Sequence, residues 1–200
     1  MKEGYFIQNQ GAIHFLTLTV IDWIDVFTRK AYRDILIDSL EYCRTDKGLV
    51  LYGYVIMSNH IHLIGQAENG KLSDLIRDFK KYTAQIILKQ MTESQESRAD
   101  WMLKRFEFSA KMNSKGSNFN FWQSNNHPEE IFSEDFMMIK LNYIHLNPVR
   151  AGWVKKASDY LYCSASNYTK GEGLIEIDLF DISFMKDNKK RNFNLYFEYW

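Results

Sequence analysis

Met57-Ser58-Asn59-His60-Ile61-His62-Leu63-Ile64 follows directly on the apolar run Leu49-Val50-Leu51-Tyr52-Gly53-Tyr54-Val55-Ile56, and the fold of the chain turns on how these two segments are read. A near-continuous apolar run of this kind is a central strand. Ser58-Asn59 is a turn signal, and the strand starting at His60 must run antiparallel to its predecessor because the connection is so short. Side chains alternate along a strand. His60 and His62 therefore share one face, roughly 7 Å apart, while Ile61 and Leu63 point to the other. Two imidazoles side by side on a rigid strand form a candidate pair of ligands for a divalent metal. The competing reading is a pair of half-buried histidines with no task.

Outward from this hairpin, Ile13–Val20 is β-rich and reads as a first strand. Lys30–Lys47 reads as a helix with Gly48 at its end. After the break at Glu68-Asn69-Gly70, the span Lys71–Met91 carries Leu72, Leu75, Ile76, Phe79, Thr83, Ile86 and Ile87 on one face of a helix. Thr92–Asn118 is polar and charged and reads as an inserted excursion, helical and then irregular, and Phe119–Gln123 as another strand. Ser133 is an N-cap, with Glu134 and Asp135 in the first turn. The helix it starts is expected to reach about Leu146 and to stop at Pro148. Tyr160–Tyr168 and Leu174–Ile177 read as loop-rich, with at most one short strand.

This order predicts an α+β fold, a ferredoxin-like sandwich with an antiparallel sheet and helices packed on one face. One domain is expected over residues 1–200, with an insertion near 90–118 and a C-terminal extension after about 170. Two hundred residues suffice for a sizeable core. The two cysteines, Cys43 and Cys163, lack CxxC spacing, which argues against a disulfide scaffold or a zinc finger. The N-terminus has no signal-peptide core, and no apolar run is long enough to span a bilayer. The expectation is a soluble, cytoplasmic protein with no membrane partner. Formal charge is zero, which counts against a broad nucleic-acid binder. Its distribution is uneven: Lys71–Lys115 holds ten basic and six acidic residues, so the middle of the chain can present a basic face.

On the helix after Ser133, the residues Phe136, Ile139, Lys140, Tyr143 and Asn147 fall along one side at three- and four-residue steps. A phenol is a weak nucleophile, but it can attack phosphorus once a metal has polarised the phosphate. Two histidines and an amide oxygen would leave metal positions open for phosphate oxygens. For an isolated helical tyrosine, packing is the commoner role.

The motifs Met57-Ser58-Asn59-His60-Ile61-His62-Leu63-Ile64, Phe121-Trp122-Gln123 and Tyr143-Ile144-His145-Leu146-Asn147-Pro148-Val149-Arg150-Ala151-Gly152, in this order, resemble the single-stranded-DNA transposases of the IS200 type. The resemblance is strongest to the REP-associated tyrosine transposases and covers about Ile13–Tyr168. It implies a histidine–hydrophobe–histidine (HUH) nuclease in which His60, His62 and Asn147 hold Mg2+ or Mn2+. Tyr143 would be the catalytic nucleophile, forming a 5′-phosphotyrosine link and freeing a 3′-hydroxyl. It also implies single-stranded or hairpin DNA as partner, and a homodimer in which the tyrosine helix acts in cis or in trans. Arg77, Lys80, Lys81 and Arg150 are candidate DNA-binding residues, setting affinity more than sequence choice.

The chain departs from the family pattern at Ser124-Asn125-Asn126-His127-Pro128, where many relatives have aromatics, and in its neutral charge. Tyr82 is a rival nucleophile that more simply packs or touches DNA. His127 reads as a turn residue, His145 as structural, His14 as a core histidine, and Trp122 as buried rather than base-stacking. Two other functions stay open at this level: a DNA- or RNA-binding regulator that has lost catalysis, and a metal-dependent hydrolase of small phosphoesters that does not need Tyr143.

Overall fold

The structure is a computed structural model that describes residues 6–112, 118–181 and 200. Four strands form one antiparallel sheet in the order β2-β3-β1-β4: β1 is His14–Thr19, β2 Leu49–Ile56, β3 His60–Ala67 and β4 Glu129–Glu130. The helices are α1 (Lys30–Lys47), α2 (Leu72–Glu93), α3 (Ala99–Met112), α4 (Glu134–Arg150) and the short α5 (Ala165–Lys170). The β2–β3 hairpin and the strand adjacent to it follow the sequence reading. So does α1, which ends at Gly48 with φ 70°, a left-handed cap that glycine adopts without strain. Among the described residues no helix is long and apolar enough to cross a membrane.

Both faces of the sheet are covered, and alternation decides what each receives. Leu16, Leu18, Ile61, Leu63, Leu51, Tyr54 and Ile56 point to one face and pack in a core under α1, α2 and α3. Each fully buried aliphatic side chain there contributes about 1.5–3 kcal/mol. Phe15, Val55, Met57 and Ile64 point to the other face, where Met137, Met138, Leu141 and Ile144 of α4 close over them. The sandwich expectation of helices on one face is therefore amended: α4 lies on the opposite side from α1 and α2. The reason lies in β1–β3, which carry apolar residues on both faces and so need two covers. Gly53 permits the close approach of α4, since a Cβ there would stand 2.9 Å from Leu141 Cδ2.

The region read as an insertion contains α3, whose Met102 and Phe106 are fully buried in the larger core. The expected strand at Phe119–Gln123 is reduced to a single bridge between Val20 and Trp122. Beyond it the chain follows β1 irregularly. Thr19 O accepts from Gln123 N (2.8 Å), Thr17 N donates to Asn126 O (2.8 Å), and Phe15 pairs with Glu129. Two steps along β1 are thus matched by three along the edge, twice in succession, as in repeated bulges. His127, at φ 41°, and Pro128, which has no N–H, prevent a regular ladder in between. On the opposite edge, β2 is met by a bridge from Val55 to Cys163 and by Asp178 N on Leu51 O (2.8 Å).

Ser133 caps α4 as expected, its hydroxyl accepting from Phe136 N at 3.2 Å. The helix does not stop before Pro148, however; it runs to Arg150 with Pro148 inside. Proline there removes one hydrogen bond in the final turn, and Pro148 is buried. The carbonyls of that turn are taken instead by Ala151 N on Asn147 O (2.9 Å), Gly152 N on Val149 O (2.9 Å) and Trp153 N on Pro148 O (3.0 Å).

Candidate active site

His60 and His62 lie on β3 with ring centroids 4.7 Å apart, on the sheet face that α4 covers. Each ring is held through Nδ1. His62 Nδ1 hydrogen-bonds Thr17 Oγ1 of the neighbouring β1 at 2.9 Å, and His60 Nδ1 bonds Asn59 Oδ1 at 2.7 Å. The orientation of the Asn59 amide is itself fixed, because Nδ2 donates to Trp23 O and Asp25 Oδ1, both at 3.1 Å. Asn59 Oδ1 is therefore the acceptor, His60 Nδ1 carries the proton, and the His60 Nε2 lone pair is available. His62 Nε2 is buried without a hydrogen-bond partner among the described residues. Burial lowers the His60 pKa to about 4. That of His62 falls well below its ordinary value through burial first, then the charges of His60 and Lys140. Both imidazoles are neutral at pH 7, the form that binds metals. This support for ligand orientation is what metal-binding histidines ordinarily have.

Tyr143 stands on α4 beside them, its ring 5.2 Å from that of His62 at an interplanar angle of 70°. It also meets Phe15 edge-on at 5.8 Å, while Phe15 stacks on His62 at 5.3 Å. Tyr143 is nonetheless 41% exposed, so its phenol is open to a substrate. Arg150 lies over the Tyr143 ring at 5.6 Å. Asn147, one turn on, donates Nδ2 to Tyr143 O at 2.8 Å, which leaves Oδ1 for another partner. Lys140 places its ammonium 4.4 Å over the Phe15 ring and bonds Glu129 at 2.6 Å. Among the described residues no three His, Cys, Asp or Glu side chains cluster around a metal-sized space. A metal here depends on the two imidazoles, an amide oxygen and ligands from outside the chain.

The other flank of the pair is the loop after β1. Asp22 and Trp23 both adopt left-handed backbone, φ 53° and 56°. Asp tolerates that region; for a bulky residue such as Trp it is an outlier, of order 1–3 kcal/mol in cost. The loop is pinned all the same. Arg105 pairs with Asp22, Trp23 N donates to Val20 O (3.1 Å), and Arg98 Nη1 donates to Asp25 O (3.0 Å). The Trp23 ring meets His60 edge-on at 5.8 Å.

Of the residues singled out from sequence, the structure brings His60, His62 and Tyr143 together, with Arg150 over the Tyr143 ring and Asn147 bonded to the Tyr143 carbonyl one turn along α4. Arg77, Lys80 and Lys81 sit on α2, the helix that covers the opposite face. Arg77 is paired with Asp74 and Asp78. Lys80 Nζ donates to Gln123 O (2.7 Å) and Asn126 Oδ1 (2.6 Å), fastening the edge loop. Lys81 is exposed. Tyr82 is also on α2, away from the histidines. His14 projects to the α1/α2 face and bonds Ala12 O at 2.9 Å. His145 is buried against Ser164 Oγ (3.0 Å), and Trp122 is buried with its indole N–H on Thr83 Oγ1 (3.1 Å). Sequence reasoning missed Thr17, Asn59 and Trp23. Alternation along β1 would have placed Thr17 on the histidine face; only tertiary structure reveals the other two.

The chain matches the family model described as "Transposase IS200 like" over residues 9–123, more than half its length, and it belongs to that family. The match includes the histidine strand and ends ahead of α4. Among solved structures, one described as a REP-associated tyrosine transposase bound to a REP hairpin superposes with a TM-score of 0.58 at 19% identity. The superposition covers 92% of this chain and 96% of that one, and it shows the shared fold. No curated protein matches the chain.

Proposed function

We propose that the protein is a metal-dependent single-stranded DNA endonuclease and strand transferase, acting through a 5′-phosphotyrosine intermediate on hairpin-containing repeat DNA. The observation that carries this reading is the approach of the Tyr143 ring to His62, at 5.2 Å, on the face where His60 and His62 are paired. The orphaned His62 Nε2 and the oriented His60 suit a metal ion, with Asn147 Oδ1 as the third donor. A bound magnesium or manganese ion would polarise the scissile phosphate and offset its charge.

Tyr143 Oη attacks phosphorus and gives up its proton. The bond from phosphorus to the 3′ oxygen breaks, and that oxygen takes up a proton to leave as a 3′-hydroxyl. Attack by a 3′-hydroxyl on the phosphotyrosine reverses these changes and joins strands. Arg150, above the Tyr143 ring, is suited to hold a phosphate oxygen. The REP hairpin in the similar structure supports a folded single strand as substrate.

The test is incubation of the protein with a labelled hairpin oligonucleotide and manganese. A covalent adduct that disappears in Tyr143→Phe is expected; an adduct that survives that change would sink the assignment. A second reading, a DNA- or RNA-binding regulator without chemistry, draws on the altered loop Ser124-Asn125-Asn126-His127-Pro128, which Lys80 fastens to α2 through Asn126 Oδ1. Hairpin binding indifferent to His60→Ala and Tyr143→Phe, with no cleavage, would favour that reading.

A further inference from the structure

Tyr143, His62, His60 and Trp23 form a row of rings with successive centroid distances of 5.2, 4.7 and 5.8 Å. The tyrosine stands at the His62 end and the tryptophan at the His60 end. Trp23 is 58% exposed, and its ring position follows from two left-handed residues that the surrounding bonds hold in place. A large apolar ring kept in water on a constrained loop gains little from packing. It can instead offer an indole face to a planar partner.

In phosphoryl transfer the attacking and leaving oxygens lie roughly in line on opposite sides of phosphorus. A phosphodiester placed along this row, with Tyr143 attacking from the His62 end, would release its 3′ oxygen toward the His60 end. The nucleotide that owns this oxygen is the one immediately 5′ of the scissile phosphate. We infer that Trp23 binds the base of that nucleotide by stacking, and so retains the freed 3′-hydroxyl strand for rejoining. This inference rests on the reading of Tyr143 as the nucleophile. Stacking on an aromatic ring tolerates any base, so the subsite fixes position rather than sequence. Trp23 is a positioning residue: it holds the strand, while Tyr143 and the phosphate react.

The experiment is an abasic scan. With the cleavage position mapped from the size of the wild-type adduct, hairpin oligonucleotides carry one abasic site at a time on either side of it. Adduct formation and strand rejoining are measured in manganese for wild type, Trp23→Ala and Trp23→Phe. In wild type, loss of the base just 5′ of the cleaved bond lowers rejoining about tenfold. Trp23→Ala lowers it by a similar factor on intact DNA and is then indifferent to that abasic site. Its responses at all other positions are unchanged, and Trp23→Phe retains most of the wild-type rate. The ring is half in solvent, so the melting temperature of Trp23→Ala stays within a few degrees of wild type. If Trp23→Ala is as sensitive as wild type at that position, or is coupled to a base on the 3′ side, the stacking assignment is overturned while the Tyr143-dependent adduct stands. If wild type forms no Tyr143-dependent adduct, the nucleophile reading fails first and the stacking assignment with it.

Discussion

The two faces of the sheet are built from the same three strands and do different work. Under α1 and α2, Leu16, Leu18, Ile61 and Leu63 are sealed in aliphatic contact. Under α4, the same strands present Thr17, Thr19, His60 and His62 beside Phe15 and Ile64, and the cover is incomplete enough to leave Tyr143 open. Both faces bury apolar side chains, but the one under α4 also carries oriented polar groups beside an exposed tyrosine. The histidines are therefore set on a strand that is packed on both sides.

The sharpest way to break this division is to change chemistry without changing packing. Tyr143→Phe removes one exposed hydroxyl; adduct formation is expected to fall by more than about 1,000-fold, with a melting temperature close to wild type. A large loss of stability would mean that the Tyr143 hydroxyl itself supports the packing of α4. On the reverse side, Leu63→Ala is expected to cost about 2–5 kcal/mol in chemical denaturation. The fraction still folded should retain its adduct rate, and a parallel collapse of that rate would show the faces to be coupled.

Thr17→Val keeps the shape but frees His62 Nδ1. Manganese affinity measured by titration calorimetry is expected to weaken about 10- to 100-fold, and unchanged affinity would remove Thr17 from the ligand support. Gly53→Ala pushes against Leu141 Cδ2. A cost of about 1–3 kcal/mol is expected, together with a several-fold slower adduct as α4 is displaced; a neutral result would show that α4 shifts without consequence.

The smallest effect is on pH. His60 and His145 titrate at about 4 and about 3 in the folded protein, both lowered by burial, against about 6.5 when unfolded. The unfolded chain then binds more protons below pH 6.5, so stability is full above that pH and is lost as pH falls toward 4. Melting temperatures at pH 7.5 and 5.0 should differ in that direction, and His60→Gln should reduce the difference. Carboxylates scarcely titrate in this interval, so a fall unaffected by that substitution would count against His60 as a contributor.

Much of the histidine face was legible because it follows from period-two alternation, which needs no knowledge of neighbours. The cap at Ser133 was legible for a similar local reason. α4 was harder. Met137, Met138, Leu141, Ile144 and His145 are buried, while Ile139 and Tyr143 are exposed, so its apolar residues do not confine themselves to one stripe. Pro148 read as a terminator because the local rule ignores burial and the turn that follows. The edge strand was misplaced because Phe121 and Trp122 look like strand residues but are buried in the larger core against Phe27 and Phe106. Trp23 and Asn59 were invisible as a pair: their contact joins the loop after β1 to the turn before β3, and nothing local encodes it.

The irregular borders of the sheet have a consequence for assembly. On one side the doubled bulges of residues 123–129, and on the other the segments around Cys163 and Asp178, occupy main-chain groups that a flat edge would offer to another molecule. Regular strand addition directly onto β1 or β2 is thereby disfavoured. Along these stretches the sheet keeps few regular backbone groups of the kind that another strand pairs with.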